Sequence, residues 1–426
     1  MFALIDCSNF YASCERVFQP KLNHKAIIVL SNNDGCVIAR SDEAKALGIE
    51  MGVPLFKVRD IVAFHKVHVS SSNFALYGDM SRRVMDIIQS TIPDDIEQYS
   101  VDEAFVQFPS HFTLEHALEW AHDMRVKILQ WTGIPTRIGI GSTKTLAKLG
   151  NALAKKSPQG FYYVSENDTH LFSNLPTKTV WGVGRQSEKK LKGYGIHTVG
   201  QLLSRHREWI RKVLTVQGER MYQELKGIVC YPLSEGADDD QKSIMVTRSF
   251  GSDVRTIDAL KESLVHHANN AGSKLRKQGL WTYSVGVYIR SSPHKSGYYS
   301  NFATIELANP TQDTRTLIAT AAQALQSIYK PGIGYKKSGI MLGNLASSPN
   351  VKQLDLLEND TLPHAFDCPP LAQSTKLMKS IDAINKRYGR HSVTVGAISK
   401  TSTPWQSHKN HSSPSYTTRW TDLLKV

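Results

Sequence analysis

Two adjacent carboxylates inside a strand-like run constrain this chain most. The stretch SVDEAF, residues 100–105, lies within an apolar passage over residues 96–108. Uncompensated charge is expensive to bury. The chain must therefore turn into solvent there or fold a cleft around something positive. A second apolar strand, FALI at residues 2–5, runs directly into Asp6. Neighbouring side chains on an ideal strand face opposite ways, so Asp102 and Glu103 serve one site only if the backbone turns there or a ligand lies at the edge. Asp6, Asp102 and Glu103 together would make an oxygen-rich site suited to Mg²⁺. From these residues alone, solvated strand ends remain the plainer alternative.

The surrounding pattern mixes both periods. Residues 26–30 (AIIVL) and 137–142 (RIGIGS) read as further strands, while residues 42–47, 74–92, 114–131 and 143–156 carry helical spacing. The first 165 residues are thus expected to form an α/β or α+β unit. Residues 166–230 read as mostly helical, and SEGADDDQ at 234–241 has little to bury, as a linker should. From 242 onward the pattern predicts helices over 257–278 and 314–329 and strands over 281–290 and 337–345, a second α+β domain. At 426 residues the chain is too long for one core. Beyond residue 347, Ser, Thr, Pro, Asn and His predominate, and a partly extended tail is expected.

Lys and Arg number 51 against 38 Asp and Glu, a formal net charge of +13. Such a surplus suits a polyanion, an anionic membrane or simple solubility. It is concentrated over residues 242–345, where 13 Lys and Arg face 5 Asp and Glu. Arg248, Lys274, Arg276 and Lys277 are candidate DNA-backbone contacts there, with Arg290, Lys336 and Lys337 as further ones. In VWGVGRQSEKKL, residues 180–191, Gly182 and Gly184 permit a tight turn whose N–H groups can hold a phosphate without reading a base. Arg185 and Lys189 reinforce it, and the spacing is neither a Walker loop nor a dinucleotide fingerprint.

Lys45, on a short predicted helix, and Lys155 or Lys156, ending a longer one, can donate to triphosphate oxygens. Tyr11 follows Asp6 closely; a ring placed under a nucleotide sugar would exclude a 2′-hydroxyl, although Tyr11 and Phe10 are equally plausible core aromatics. KQLDLLEN at 352–359 presents Leu354, Leu356 and Leu357, which can dock in a partner's pocket or pack on their own domain. The five cysteines form no CxxC pair, which argues against a structural zinc or a full disulfide framework. No basic leader opens the chain and no run of 18 apolar residues occurs, so a reducing, non-membrane compartment is expected. These features fit nucleotidyl transfer, a two-metal nuclease or a catalytically silent DNA-binding scaffold.

DCSNFYASCE (6–15), SNNDGCVIARSDEAKALGI (31–49), YSVDEAF (99–105), GIGSTKTLAKLGNALAK (139–155), the hairpin at 180–191, RSFG (248–251) and QLDLL (353–357) are more specific. Together they resemble the Y-family translesion DNA polymerases, most closely the bacterial UmuC-like catalytic subunits of DNA polymerase V type, plasmid- and mobile-element-borne relatives included. The resemblance implies a multidomain α+β right hand: palm at 1–11 and 75–165, small fingers at 12–74, helical thumb with a helix-hairpin-helix at 166–233, linker at 234–241, little finger at 242–346 and a partner-binding tail at 347–426. It implies Asp6, Asp102 and Glu103 as ligands of two Mg²⁺ ions, with the backbone carbonyl of Cys7 beside them. Phe10, Tyr11 as sugar gate, Lys45 and Lys155 would bind the nucleotide. Gly182 and Gly184 would grip DNA, and Gln353, Leu354, Leu356 and Leu357 would bind the β sliding clamp.

The implied function is error-prone DNA-templated synthesis past lesions in the SOS damage response, from dNTPs onto a primer 3′-hydroxyl. A processed UmuD-like homodimer, a RecA filament and the clamp would be its partners, in the cytoplasm on primer-template DNA. One motif departs from many family members: Asp42-Glu43-Ala44-Lys45 stands where they carry Tyr-Glu-Ala-Arg. The ring donor and the bidentate fork are missing there, and only one positive contact, Lys45, is kept.

Overall fold

The structure, a computed structural model, describes residues 1–92, 95–233, 241–348, 371–389, 391–396 and 405–423. It divides into two units, Met1–Ala237 with Asn410–Val426, and Asp238–Lys409.

In the first unit, β1 (Phe2–Cys7) leads into α1 (Phe10–Phe18), then β2 (Ile27–Leu30), β3 (Val37–Arg40), α2 (Asp42–Ala46), α3 (Arg59–Phe64) and β4 (His68–Ser71). There follow α4 (Phe74–Gln89), β5 (Ile96–Gln98), β6 (Glu103–Gln107), α5 (Leu114–Thr132), β7 (Thr136–Gly141), α6 (Lys144–Ala154) and β8 (Phe161–Val164). Five strands form a sheet in the order β5-β6-β1-β7-β8, with β1 at its centre and antiparallel to both neighbours. The alternation along β1 sorts its side chains by face. Ala3, Ile5 and Cys7 join the core with Leu76 and Met80 of α4 and Ala121 and Met124 of α5. Phe2 and Leu4 pack instead with Phe105 and with Ala147 of α6. Asp6 continues that second face at the strand's end.

A smaller sheet, β3-β2-β4, has its own core, in which Ile28, Leu30 and Val37 meet Ala44 of α2 and Val58. Beyond β8 the chain is helical: α7 (Thr169–Asn174), α8 (Arg185–Gly193), α9 (Val199–Leu203) and α10 (Arg207–Leu225). Phe172, Leu191, Leu202, Ile210 and Leu225 share a core with Leu146 and Leu149 of α6.

The second unit consists of β9 (Ser243–Val254), α11 (Ile257–Lys277), β10 (Trp281–Ser291), β11 (Ser300–Thr311), α12 (Thr314–Ile328), β12 (Tyr335–Ala346) and α13 (Leu371–Tyr388). Its antiparallel sheet runs β11-β10-β12-β9. One face packs Val285, Val287, Ile289 and Ile340 against Leu264 and Ala268 of α11 and Leu317 and Ala321 of α12.

The tail expected to be partly extended contains a helix that the sequence pattern did not predict. Residues 371–388 form a helix anchored to the second unit by a two-pronged ion pair between Arg276 and Asp382 (2.6 and 2.9 Å), a Ser374–Asp313 hydrogen bond (2.7 Å) and the buried Met378. Residues 410–416 then lie against the first unit. The linker expected at 234–241 falls outside the described residues except for Gln241.

Candidate active site

Directly opposed residues on an antiparallel ladder share a face. On β1, Asp6 is paired with Glu103 on one side and with Arg137 on the other. Two carboxylates and a guanidinium-bearing residue thus stand in one row at the strand ends. Asp102 is brought in by a turn. Ser100 Oγ accepts the backbone N–H groups of Asp102 (3.1 Å) and Glu103 (3.0 Å) and donates to Asp102 Oδ1 (2.6 Å). The Asp102 carbonyl in turn accepts from Cys7 N at 2.9 Å. This serine-centred bend lies just before β6, so Asp102 stands outside the strand alternation that Glu103 follows.

Burial pushes the Asp6 carboxyl up to about 6; Lys155 and Arg137 draw it down, and Glu103 and Asp102 push it further up. Charge on Asp102 also reaches the thiol of Cys7 and the hydroxyl of Tyr11, both of which burial raises first. A buried carboxylate among other carboxylates gains from a cation beside it. The donors are all oxygens, which suits Mg²⁺. Among the described residues, however, no group of three or more His, Cys, Asp or Glu side chains is already gathered as a ligand set. Two of the three acids are held by protein partners instead: Asp102 by Ser100, and Glu103 by Lys148, whose Nζ lies 3.1 Å from both its oxygens.

Sequence reasoning missed Lys148 and Arg137, which the structure places beside Glu103 and Asp6. Lys144 and Lys148 are spaced i,i+4 on α6, a signal that they share a helix face. Lys144 pairs with Glu97 (2.5 Å), and Lys148 sits 4.2 Å from the Tyr99 ring centre. The helix reaches the carboxylates because glycines let it approach the sheet. A Cβ on Gly139 of β7 would lie 2.0 Å from the carbonyl oxygen of Ala147 and 2.0 Å from the backbone nitrogen of Asn151. Lys155, its C-cap, is exposed, as is Lys156.

Tyr11 is half-buried on α1 and stacks on Tyr77 of α4, with ring centroids 4.3 Å apart and planes at 14°. Phe74 meets it edge-on at 6.1 Å. Phe10 is a core residue, 3% exposed, so its ring is committed to packing. Lys45 Nζ donates to Asn9 Oδ1 (2.5 Å) and Asp42 Oδ1 (2.8 Å), and Arg137 lies 3.8 Å from Asp42. Glu43 pairs with Arg16 at 2.7 Å, a structural contact.

At the hairpin, Gly182 has φ +91°, and Gly184 caps α8 with Arg185 and Lys189 exposed. In the second unit Arg276 is committed internally. Besides Asp382 it bonds the Gln312 carbonyl (2.9 Å) and Thr314 Oγ1 (3.0 Å), with its side chain 9% exposed, which removes it from the expected DNA contacts. Arg248 is paired with the buried Ser338 on the helix-covered side, and its charge bears on His266 and His267. The helix-free face carries Arg290 and Lys337 as direct cross-strand partners. Lys274 and Lys277 are exposed in the last turn of α11. Gln353, Leu354, Leu356 and Leu357 lie outside the described residues.

Comparison with solved structures defines the class. A chimera of the Y-family DNA polymerases Dbh and Dpo4 matches with a TM-score of 0.66 at 19% identity, covering 82% of this chain and 100% of the chimera. DinB from Sulfolobus solfataricus matches with a TM-score of 0.52 at 18% identity, covering 80% of this chain and 98% of its own. The fold is therefore a multidomain α+β fold of the Y-family polymerase kind.

Sequence relatives take the assignment further. Residues 5–152 match the impB/mucB/samB family, residues 241–356 its C-terminal domain, and residues 375–426 a domain of unknown function, DUF4113. The chain is 40% identical to Protein ImpB of Salmonella typhimurium, over 99% of each chain. It is 38% identical to Protein UmuC of Salmonella typhimurium strain LT2 over the full length of both, and 38% identical to Protein MucB of Escherichia coli over 99% of each. The chain belongs to the impB/mucB/samB family, the UmuC-like Y-family translesion DNA polymerases. It is a DNA polymerase of error-prone translesion synthesis in the SOS response, acting on DNA and dNTPs, and its family's catalysis depends on Mg²⁺. The nuclease and silent-scaffold readings fall with that assignment. No described helix is long and apolar enough to cross a membrane.

Proposed function

We propose that Asp6, Asp102 and Glu103 form the catalytic centre of this polymerase. Support comes from the pairing of Asp6 with Glu103 across β1 and β6, and from the Ser100 turn that adds Asp102. With the Cys7 carbonyl they would hold two Mg²⁺ ions, which when bound supply charge neutralisation for the triphosphate and acidify the primer 3′-hydroxyl. The protein's own groups do the rest. Lys155, Arg137 and Lys45 draw the triphosphate in and hold its oxygens. Arg137 adds part of the planar donor that the Asp42–Lys45 motif lacks. Tyr11, fixed by its stack on Tyr77, walls the sugar site against a 2′-hydroxyl.

In this reading, residues 1–11 and 75–165 are the palm, 12–74 the fingers, 166–233 the thumb and 242–346 the little finger. The Gly182–Gly184 turn with Arg185 and Lys189 holds DNA phosphates, as do Lys274, Lys277, Arg290 and Lys337. Residues 353–357 bind the sliding clamp. The processed UmuD-like dimer and RecA are the remaining partners, and the work is done in the cytoplasm on damaged template.

Primer extension by the parent chain, Asp102→Ala and Glu103→Ala tests the assignment. Extension is expected to fall about a thousandfold in each variant, equivalent to about 4 kcal/mol of transition-state stabilisation, while primer-template binding persists. Extension at parental rates in either variant would remove that residue from the centre.

A further inference from the structure

Residues 410–416 run along the same face of α1 that carries Tyr11. Tyr11, Glu15 and Phe18 are spaced four and three residues apart, so they line one side of that helix. Ser413 Oγ donates to Glu15 Oε1 at 3.1 Å, and the Tyr416 ring stacks on Phe18 with centroids 4.9 Å apart and planes at 7°. Tyr416 is 5% exposed and belongs to the core of the first unit.

Upstream, Asp34 Oδ2 accepts from Asn410 N (2.7 Å), Ser71 Oγ from His411 N (3.0 Å), and the His411 carbonyl from Ser71 N (2.8 Å), which extends the pairing at the end of β4. Asn73, whose Oδ1 caps α4 at Leu76 N, donates through Nδ2 to Ser413 Oγ (3.0 Å) and the Pro414 carbonyl (3.2 Å). The segment is therefore tied to α1, to β4 and to the start of α4.

Glu15 is the junction. It is fully buried, and Tyr77 Oη donates to the same Oε1 at 2.7 Å. Its other oxygen, Oε2, is buried with no hydrogen-bond partner among the described residues. Ser413 and Tyr77 thus supply the hydrogen bonding of a carboxyl that burial already raises above its ordinary range. Tyr77, 1% exposed, is the ring on which Tyr11 stacks.

We propose that residues 410–416, within the stretch that matches the domain of unknown function DUF4113, position Tyr11 and so set sugar selection. The route is Ser413 to Glu15, Glu15 to Tyr77, and Tyr77 to the stacked face of Tyr11. The inference rests on the reading of Tyr11 as the sugar gate. Ser413, Glu15 and Tyr77 are positioning residues, since none need touch the nucleotide. Loss of the Ser413 hydroxyl leaves Glu15 with one partner, and loss of the Tyr77 hydroxyl frees the ring to slide on its neighbour.

The test is single-nucleotide insertion of dNTP and rNTP by the full-length chain, under conditions in which the parent extends a primer. The variants are Ser413→Ala, Ser413→Thr, Tyr77→Phe and Tyr11→Ala. Ser413→Ala and Tyr77→Phe are each expected to raise the rNTP-to-dNTP ratio of kcat/KM about fivefold, the equivalent of one hydrogen bond. Ser413→Thr, which keeps the hydroxyl, is expected to restore the parental ratio, and Tyr11→Ala to exceed the others. If Tyr11→Ala relaxes sugar selection while Ser413→Ala and Tyr77→Phe lower both insertion rates together at a constant ratio, the segment is merely structural and the proposal is overturned. If Tyr11→Ala itself leaves the ratio unchanged, the gate reading fails and the proposal falls with it.

Discussion

At the residue scale, the charged groups divide into those proposed to meet a ligand and those that serve the fold. As candidates, Asp6 was legible because it ends an apolar strand, and Asp102 with Glu103 because acids are rare in such runs. Arg137 and Lys148 were not, because which residue faces Asp6 across β7, or Glu103 from α6, depends on register and helix approach. Arg276 shows the converse error: its basic neighbours suggested DNA, whereas Asp382, more than a hundred positions away, claims it. His267 carries a separate consequence. It is 1% exposed and shares a hydrogen bond with Ser338 at 3.1 Å. Burial drives its pKa down to about 3, with His266 and Arg248 adding to the effect. The unfolded chain binds a proton near pH 6.5 that the folded unit refuses, so stability falls as the pH drops from there toward 3. The loss is expected to approach about 1.4 kcal/mol per pH unit once below the unfolded value. Urea unfolding between about pH 7 and about pH 5 should show this slope flattened in His267→Gln.

At the element scale, long apolar or amphipathic runs announced themselves, and β1, α4, α5, α6, α11 and α12 lie close to where their periodicity placed them. β11 did not, because its strand SNFATIELANPT has few buried positions and no long apolar run to mark it. α13 was hidden by its polar composition; its place depends on Asp382, Ser374 and Met378 finding partners on other elements. The contact of α6 with β7 is the element-level feature on which the site most depends. Gly139→Ala would force a methyl group into backbone atoms 2.0 Å away, with no flexible side chain to yield. A loss of about 3 kcal/mol is expected, in the range for overpacked cores, together with displacement of Lys148. Thermal unfolding and primer extension of the variant measure the two effects.

At the scale of the whole molecule, the positive surplus is not spread evenly in its chemistry. In the second unit the helix-free sheet face presents Arg290 and Lys337 side by side, while Arg276 is committed to internal contacts. Composition could give the sign of the charge but not this sorting. Each phosphate contact contributes about one unit to the salt dependence of binding, so an Arg290→Ala, Lys337→Ala double variant should flatten the plot of log affinity against log salt by about two. Fluorescence anisotropy with primer-template DNA at several salt concentrations reads that slope directly; an unchanged slope would place the contacts elsewhere.

The central claim is that Asp6, Asp102 and Glu103 act together around divalent cations at a primer terminus. A ternary complex with primer-template, incoming dNTP and Mg²⁺ tests it most directly. The account predicts that Lys148 has released Glu103, that Ser100 still holds the turn, and that all three carboxylates ligate metal beside the primer end. A complex competent for synthesis in which those side chains stand apart, with no metal among them, would contradict it.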